Sequence, residues 1–384
     1  MATTAREARA EALERWNRMM ASAPGLYTDN HILGASPPSV FVGSAGYPNV
    51  LAGPMVPPRF GDTSILDSPE EWSGHSLQEI VSYRLGLVRG VKKVPVGDSP
   101  SRYVTQLQDV AMGSSPADAD ITFSGRITAS ELADGHSAPF GPVGSIRESR
   151  FSNVSPHRQI ERCYYDTDMG AADAVLRLYR SGTEISRIQR CFSVGMFGRE
   201  RRLVPTKWSI TATDDTISKS LVGDILDHPL LDSCRVFWFT HLGNSYAVVL
   251  WPRRWAFGFA EAWYSSGRPA FGSDFEDAGG FRGYPETAGA YFAARLAVAE
   301  YLDGRRRQAA AIVLREISPD YSIPVGVWQV REGVRSALRG RPEFPDSLIR
   351  AMDAACRRLT ISKKEWLGQP GVSRTVFQRS ITDF

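Results

Sequence analysis

The segment Ser193 to Ile217, SVGMFGRERRLVPTKWSITATDDTI, sits mid-chain and brings unlike residue types close together. It opens flexible and basic, with Gly195 and Gly198 beside Arg199, Arg201 and Arg202, turns at Pro205, and ends on the acidic pair Asp214 and Asp215. Thr206 to Thr211 alternates, which predicts a strand with Trp208, Ile210 and Ala212 on one face and Lys207, Ser209 and Thr211 on the other. Glycines allow close backbone approach and guanidinium forks match phosphate geometry, so the segment predicts the floor of a polyanion site. The plainer reading is a hairpin corner with solvated arginines and a buried tryptophan.

Outward from this segment, the 384 residues suffice for two ordinary domains or one large one with an appendage. A composition of 42% hydrophobic and 23% charged residues is that of a soluble globular chain, and the net charge of +3 rules out a polycation. Residues 286–384 nevertheless hold 16 Lys and Arg against 11 Asp and Glu, which permits a nucleic-acid face there. Cys163, Cys191, Cys234 and Cys356 form no CxxC pair, so they predict reduced thiols in a cytoplasmic protein. No apolar run suggests a signal peptide or a membrane span.

Fold class is predicted as mixed, α/β or α+β, since helices and strands interleave without a clean βαβ period. Helices are expected over residues 4–20, after Ser76-x-x-Glu79 with Gly90 as the stop, over 171–179, 217–226 and 346–359. Residues 286–302 predict a largely buried helix, apolar all round except Arg295 and Glu300. Strands are expected at 40–42, 103–107, 121–127, 145–151, 235–240 and 246–251, and the aromatics from Trp251 to Tyr264 predict a core seam. Arg84 and Arg89 are expected on a solvated helix face, with a ligand-binding role as the alternative. From Thr360 the chain turns polar, Gly368-Gln369-Pro370-Gly371 breaks it, and a flexible C-terminal tail is expected. The resulting partition is an N-terminal region 1–160, a C-terminal region 161–359 and a tether with tail, 360–384.

The central segment RRLVPTKWSITATDD resembles the signature of the archaeal Nre family of DNA repair proteins. GYPNVLAGPM (46–55), PEEWSG (69–74), SDFEDAGGFRGY (273–284), AGAYFAARLAVAEYL (288–302), RRQA (306–309) and PVGVWQVREGVR (324–335) resemble further blocks of that family in its order. Some members carry a cysteine-rich zinc module near the N-terminus. No cysteine precedes Cys163, so the chain resembles the form lacking that module.

The last residues resemble the motif by which repair proteins dock on the sliding clamp, PCNA: Gln378, then Ile381, then Phe384. Spacing of three suits a 3₁₀ turn that stacks Ile381 and Phe384 into one plug. The resemblance therefore implies a chromosome-associated repair factor whose partners are DNA and the clamp. Candidate nucleic-acid contacts are Tyr47 and Asn49 in a glycine-rich turn, Arg199, Arg201, Arg202 and Lys207, and the run Arg305, Arg306, Arg307. A second reading takes Asp214, Asp215, Glu261, Asp274 and Glu276 as catalytic ligands of Mg²⁺ or Mn²⁺ in a nuclease. A third, a small-molecule enzyme unrelated to DNA, stays open. The six histidines show no HxH or HExxH spacing, and no Walker A pattern is present.

Overall fold

The structure, a computed structural model, describes residues 5–21, 29–128, 139–265 and 268–377. It divides into two compact units, one of residues 14–217 and one of residues before 14 and after 217. The motif 378, 381, 384 lies outside the described residues.

The first unit contains the second half of α1 (Ala5–Ala21), then β1 (His31–Ser36), β2 (Val40–Val42), β3 (Asn49–Val56), α2 (Leu77–Leu85), β4 (Val88–Pro95), α3 (Arg102–Met112), β5 (Ala117–Phe123), β6 (Val143–Ser152), α4 (Arg158–Tyr165), α5 (Ala171–Arg180), α6 (Ile185–Ser193) and the start of α7 (Thr206–Ile225). Its described strands form one sheet ordered β1-β5-β6-β4-β3-β2, antiparallel except for the β4–β6 pair. One part of the core joins Ile32, Val56, Val88, Ile121, Phe123 and Ile146 from five of these strands. Polar groups are also buried here. Asp67 sits between the guanidiniums of Arg84 and Arg190, 3.1 Å from the latter, and receives the Ser39 hydroxyl. Arg89 lies beside the touching rings of Phe41 and Phe140, 5.0 and 4.7 Å from their centroids. The arginines expected on a solvated face are therefore core residues.

The second unit holds β7 (Arg235–His241), β8 (Asn244–Trp251), β9 (Ala256–Ser265), β10 (Arg268–Asp277), α8 (Gly289–Gly304), β11 (Ala310–Ile317), α9 (Trp328–Arg339), α10 (Leu348–Cys356), α11 (Lys363–Leu367) and α12 (Pro370–Phe377). Its sheet runs β10-β9-β11-β8-β7, with only β9 and β11 parallel. Strand alternation sends Phe237, Tyr246, Phe257 and Glu276 to one face. There Phe237 meets Tyr301 of α8, Phe257 meets Tyr291 of α8, and the Tyr246 hydroxyl donates to Gln329 of α9 at 2.6 Å. The opposite face, with Val236, Val249, Ala260 and Ile312, packs on Ala351 and Met352 of α10, Trp366 of α11 and Val372 of α12. The result is a helix–sheet–helix sandwich, and the mixed α/β expectation is borne out.

Helix α8 is buried from Gly289 through Ala299 on every side, as its composition predicts. Small residues around it let neighbouring backbones approach.

Several elements differ from expectation. Thr206–Thr211 is the start of helix α7, and residues 103–107 lie in helix α3. In α7 the residues buried at intervals of four are Ser209, Thr213, Ile217, Leu221 and Ile225. Two of those five are polar, so a hydrophobic periodicity never shows in the first turns. In α3, Ser101 accepts from the Val104 N–H and starts the helix, and Val104, Leu107, Gln108 and Ala111 face inward. Helix α2 stops at Gly86, and Gly90 belongs to β4. Residues 360–377 are not a tether: a Ser362–Glu365 capping box starts α11, Trp366 is fully buried, and Pro370 opens α12.

Candidate nucleic-acid interface

The glycine-rich turn 43–49 joins β2 to β3. Gly43 N–H donates to the Leu51 carbonyl at 2.7 Å and Asn49 N–H to Gly46 at 2.9 Å, with Gly46 at φ +76°, a conformation open to glycine. The turn is then pinned to two other segments. Val96 N–H donates to the Pro48 carbonyl, and Leu203 N–H to the Val96 carbonyl, both at 2.8 Å. Val42 N–H donates to the Thr206 hydroxyl at 2.9 Å. These bonds bring the Tyr47 turn, the end of β4 and the basic segment 199–207 side by side.

Their meeting point is aromatic. The Tyr47 ring lies 5.3 Å from that of Trp208 at 58°, and the two side chains are 52% and 46% exposed. Burial would normally claim two such rings, so a half-open pair is a surface feature that invites a planar ligand. Asn49 and Leu51 pair in register with Pro95 and Lys93, and all four are exposed on the outer face of the sheet.

The arginines are anchored yet accessible. Arg199 Nε donates to the Asp168 carbonyl at 3.0 Å, and Arg202 pairs with Glu200 at 3.1 Å. Arg201 lies 4.8 Å over the Tyr164 ring and donates to the Tyr164 carbonyl; Tyr165 beside it is 72% exposed. Lys207 is half-buried. Tyr47, Asn49, Arg199, Arg201, Arg202 and Lys207 thus share the first unit, held together by the bonds above. Arg305, Arg306 and Arg307 follow α8 in the second unit, where Arg305 lies 4.6 Å over the Tyr301 ring and Arg307 donates to the Arg306 carbonyl at 3.2 Å.

Sequence reasoning missed Trp208 and Lys93. Strand alternation puts Trp208 on one face with Ile210 and Ala212, whereas the four-residue stripe of α7 leaves it outside. The first members of that stripe, Ser209 and Thr213, are polar, so no hydrophobic pattern marks it.

The five carboxylates are engaged in the structure. Asp214 is buried and accepts from Gln189 Nε2 at 3.1 Å, with Asp215 half-buried beside it. Glu261 accepts from Arg315 Nη1 at 2.8 Å. Asp274 accepts the N–H groups of Glu286 and Thr287, both at 2.8 Å, and the Thr287 hydroxyl at 2.5 Å. Glu276 accepts from Arg295 Nε at 2.8 Å and from Trp255 Nε1 at 3.0 Å. Burial first, and then the Glu276 charge, raise the Tyr291 phenol well above its usual range. Among the described residues no three His, Cys, Asp or Glu side chains group so as to hold a metal ion. Glu261, Asp274 and Glu276 already receive arginine or backbone donors and Asp214 a glutamine amide, so these residues do not fit a Mg²⁺ or Mn²⁺ ion as placed. No helix among the described residues is long and apolar enough to cross a membrane.

Comparison with known proteins agrees along the chain. The model of the archaeal Nre N-terminal region matches residues 5–268, and that of the archaeal Nre C-terminal region matches residues 276–384. DNA repair protein NreB of Archaeoglobus fulgidus is 35% identical over 373 residues, 95% of each chain. DNA repair protein NreA of the same organism is 36% identical over 349 residues, 88% of this chain and 87% of its own. NreA of Haloferax volcanii is 34% identical over 374 residues, 92% and 89% respectively. No solved structure matches.

Proposed function

Since this chain belongs to the archaeal Nre family, we propose that it is a DNA repair factor that binds DNA through the first unit and is recruited to the sliding clamp by its C-terminal motif. The observation that carries the DNA reading is the exposed Tyr47–Trp208 pair, held in the same unit as Arg199, Arg201, Arg202, Lys207 and Lys93. Aromatic rings stack on bases irrespective of sequence, and arginines and lysines hold the phosphates on either side. Arg305 to Arg307 supply a further phosphate contact.

The clamp reading rests on Gln378, Ile381 and Phe384, which follow α12. A segment this short that orders on binding gives a reversible contact of roughly micromolar strength. The partners are DNA and PCNA, and the setting is the chromosome in the cytoplasm.

The test is fluorescence anisotropy with labelled single-stranded, flapped and duplex DNA, with and without Mg²⁺, each sample also run on a denaturing gel. Tyr47→Ala and Trp208→Ala are each expected to weaken binding by about 1–3 kcal/mol, with a steep dependence on salt. Chain ending at Phe377 should keep DNA binding and lose the clamp. Absence of DNA binding at low salt would overturn the DNA reading, and Mg²⁺-dependent cleavage would return the carboxylates to a catalytic role.

A further inference from the structure

Strand β7 is an edge of the second sheet, and near its start Val236 exchanges both N–H···O bonds with Glu343, each at 3.0 Å, which fixes the residues around Glu343 across that edge. Glu343 then gathers the end of α10. Its carboxylate accepts from Arg357 and stands 3.8 Å from Arg358, and both arginine side chains are 62% exposed. Two rings complete the cluster. Arg358 lies 4.3 Å over the Trp238 ring, whose Nε1 donates to the Ala355 carbonyl at 3.2 Å, and Arg235 lies 5.9 Å over the Phe344 ring. Phe344 is 62% exposed, and Ile349 at the start of α10 is 72% exposed. Arg341 and Arg350 are exposed too and make no ion pair among the described residues.

Three of the carboxylates here are already held by a cation: Asp232 by Arg235, Glu343 by Arg357 and Asp353 by Lys363. That leaves Arg341, Arg350 and Arg358 against Asp346, so the face keeps a positive excess. Single exposed apolar side chains are ordinary, but Phe344 and Ile349 stand five residues apart amid guanidiniums. A ligand suited to such a face carries repeated negative charge and flat apolar faces, as a single strand of nucleic acid does. Bases stack on aromatic rings and on guanidinium planes, a guanidinium over a ring strengthens the platform, and further arginines hold the phosphates. A duplex hides its base faces and would keep only the phosphate contacts.

We propose that the β7–α10 face is a second DNA surface, one that takes single-stranded DNA: a base against Phe344, the Arg358–Trp238 layer as the next platform, and Arg341 and Arg350 on the phosphates. It rests on the DNA reading above for the identity of the polyanion and on none of the first unit's residues. The Val236–Glu343 pairing is what presents Phe344. With that segment already fixed on the sheet edge, little is left to order when a strand arrives.

The test is fluorescence anisotropy at low salt, with labelled single-stranded and duplex DNA, on the full chain carrying Tyr47→Ala and Trp208→Ala. Residual binding should favour the single strand and weaken about fivefold or more on adding Phe344→Ala. Phe344→Leu, which keeps an apolar side chain without the ring, should weaken it comparably. Arg341→Ala with Arg350→Ala changes only exposed side chains and should flatten the log–log salt slope by about 1.4, two phosphates at about 0.7 each, while the melting temperature stays put. In the unaltered chain, a strand carrying iodouracil should crosslink on irradiation to the segment that holds Phe344. Loss of all binding in the Tyr47→Ala, Trp208→Ala chain, duplex bound as tightly as single strand, indifference to the Phe344 and arginine substitutions, crosslinks confined to the first unit, or displacement of the strand by poly-glutamate at equal charge would each overturn the proposal. If Tyr47→Ala and Trp208→Ala leave binding whole, the first-unit reading falls, and the Phe344 and arginine variants still decide this one.

Discussion

Gly371 lies against the backbone of Asp274: a Cβ at Gly371 would stand 2.6 Å from the Asp274 carbonyl oxygen and 2.8 Å from its nitrogen. The Gly371 N–H donates to the Ser273 hydroxyl at 3.0 Å, and Gly258 of β9 is approached in the same way by Thr375. Helix α12 can reach the sheet only because these two positions lack side chains. Gly371→Ala is expected to cost about 1–3 kcal/mol, because α12 must move off the edge strand to make room for the methyl group. Chemical denaturation measures the cost, and an unchanged midpoint would show that the close approach of the two backbones is not required.

Asp67 answers two buried guanidiniums, those of Arg84 and Arg190. Asp67→Ala would leave both uncompensated, with an expected loss of about 3–5 kcal/mol. Ser39→Ala, which removes one hydrogen bond to the same carboxylate, should cost about 1 kcal/mol. Equal losses in the two variants would show that the charges are not what matters.

Burial, reinforced by the charge of Arg187, lowers the pKa of His157, and burial alone lowers that of His241. A histidine whose folded pKa lies below its ordinary value of about 6.5 is protonated first in the unfolded chain. Its contribution is therefore complete above about pH 6.5 and is lost as the pH falls through the folded value. Urea melts at about pH 7.5 and about pH 5.5 should show lower stability at the acid end, and His157→Gln should flatten that slope.

Burial pushes the Cys191 thiol up to about 12 and the Cys356 thiol up to about 11. Neither holds appreciable thiolate near neutrality, so alkylation at about pH 8 should be slow in the folded protein and fast after unfolding. Rapid labelling of Cys356 in the native state would contradict the packing around α10.

Much of the fold was legible where burial is apolar. Helix α8, the strands β7 and β8, and the capping box at Ser76 follow from periodicity and caps alone. Helix α7 was hidden because Ser209, Thr213, Asp214 and Ser218 occupy its inward side; the Ser209 hydroxyl donates to the Thr206 carbonyl and Ser218 receives Arg295, so their burial leaves no hydrophobic trace. Residues 360–377 read as a tether because their helices are short and the core positions Ile361, Trp366 and Val372 are spaced too widely to form a continuous apolar run. The candidate interface was legible as a list of parts. Tyr47 and Arg202 carried the right chemistry, but the bonds of Val96 to Pro48 and Leu203 to Val96 link segments far apart in the chain, and no local pattern encodes them.

Helix α1 is divided: its residues up to 13 group with those after 217, while the rest of it groups with the first unit. A ribosome adding about 5–20 residues per second releases residues 14–217 long before the later segment exists. The residues that group with positions 5–13 are therefore made on the order of ten seconds or more after them. Over that interval the first turns are available to chaperones or to neighbouring nascent chains, so an N-terminal fusion is expected to act on the maturation of the unit made last.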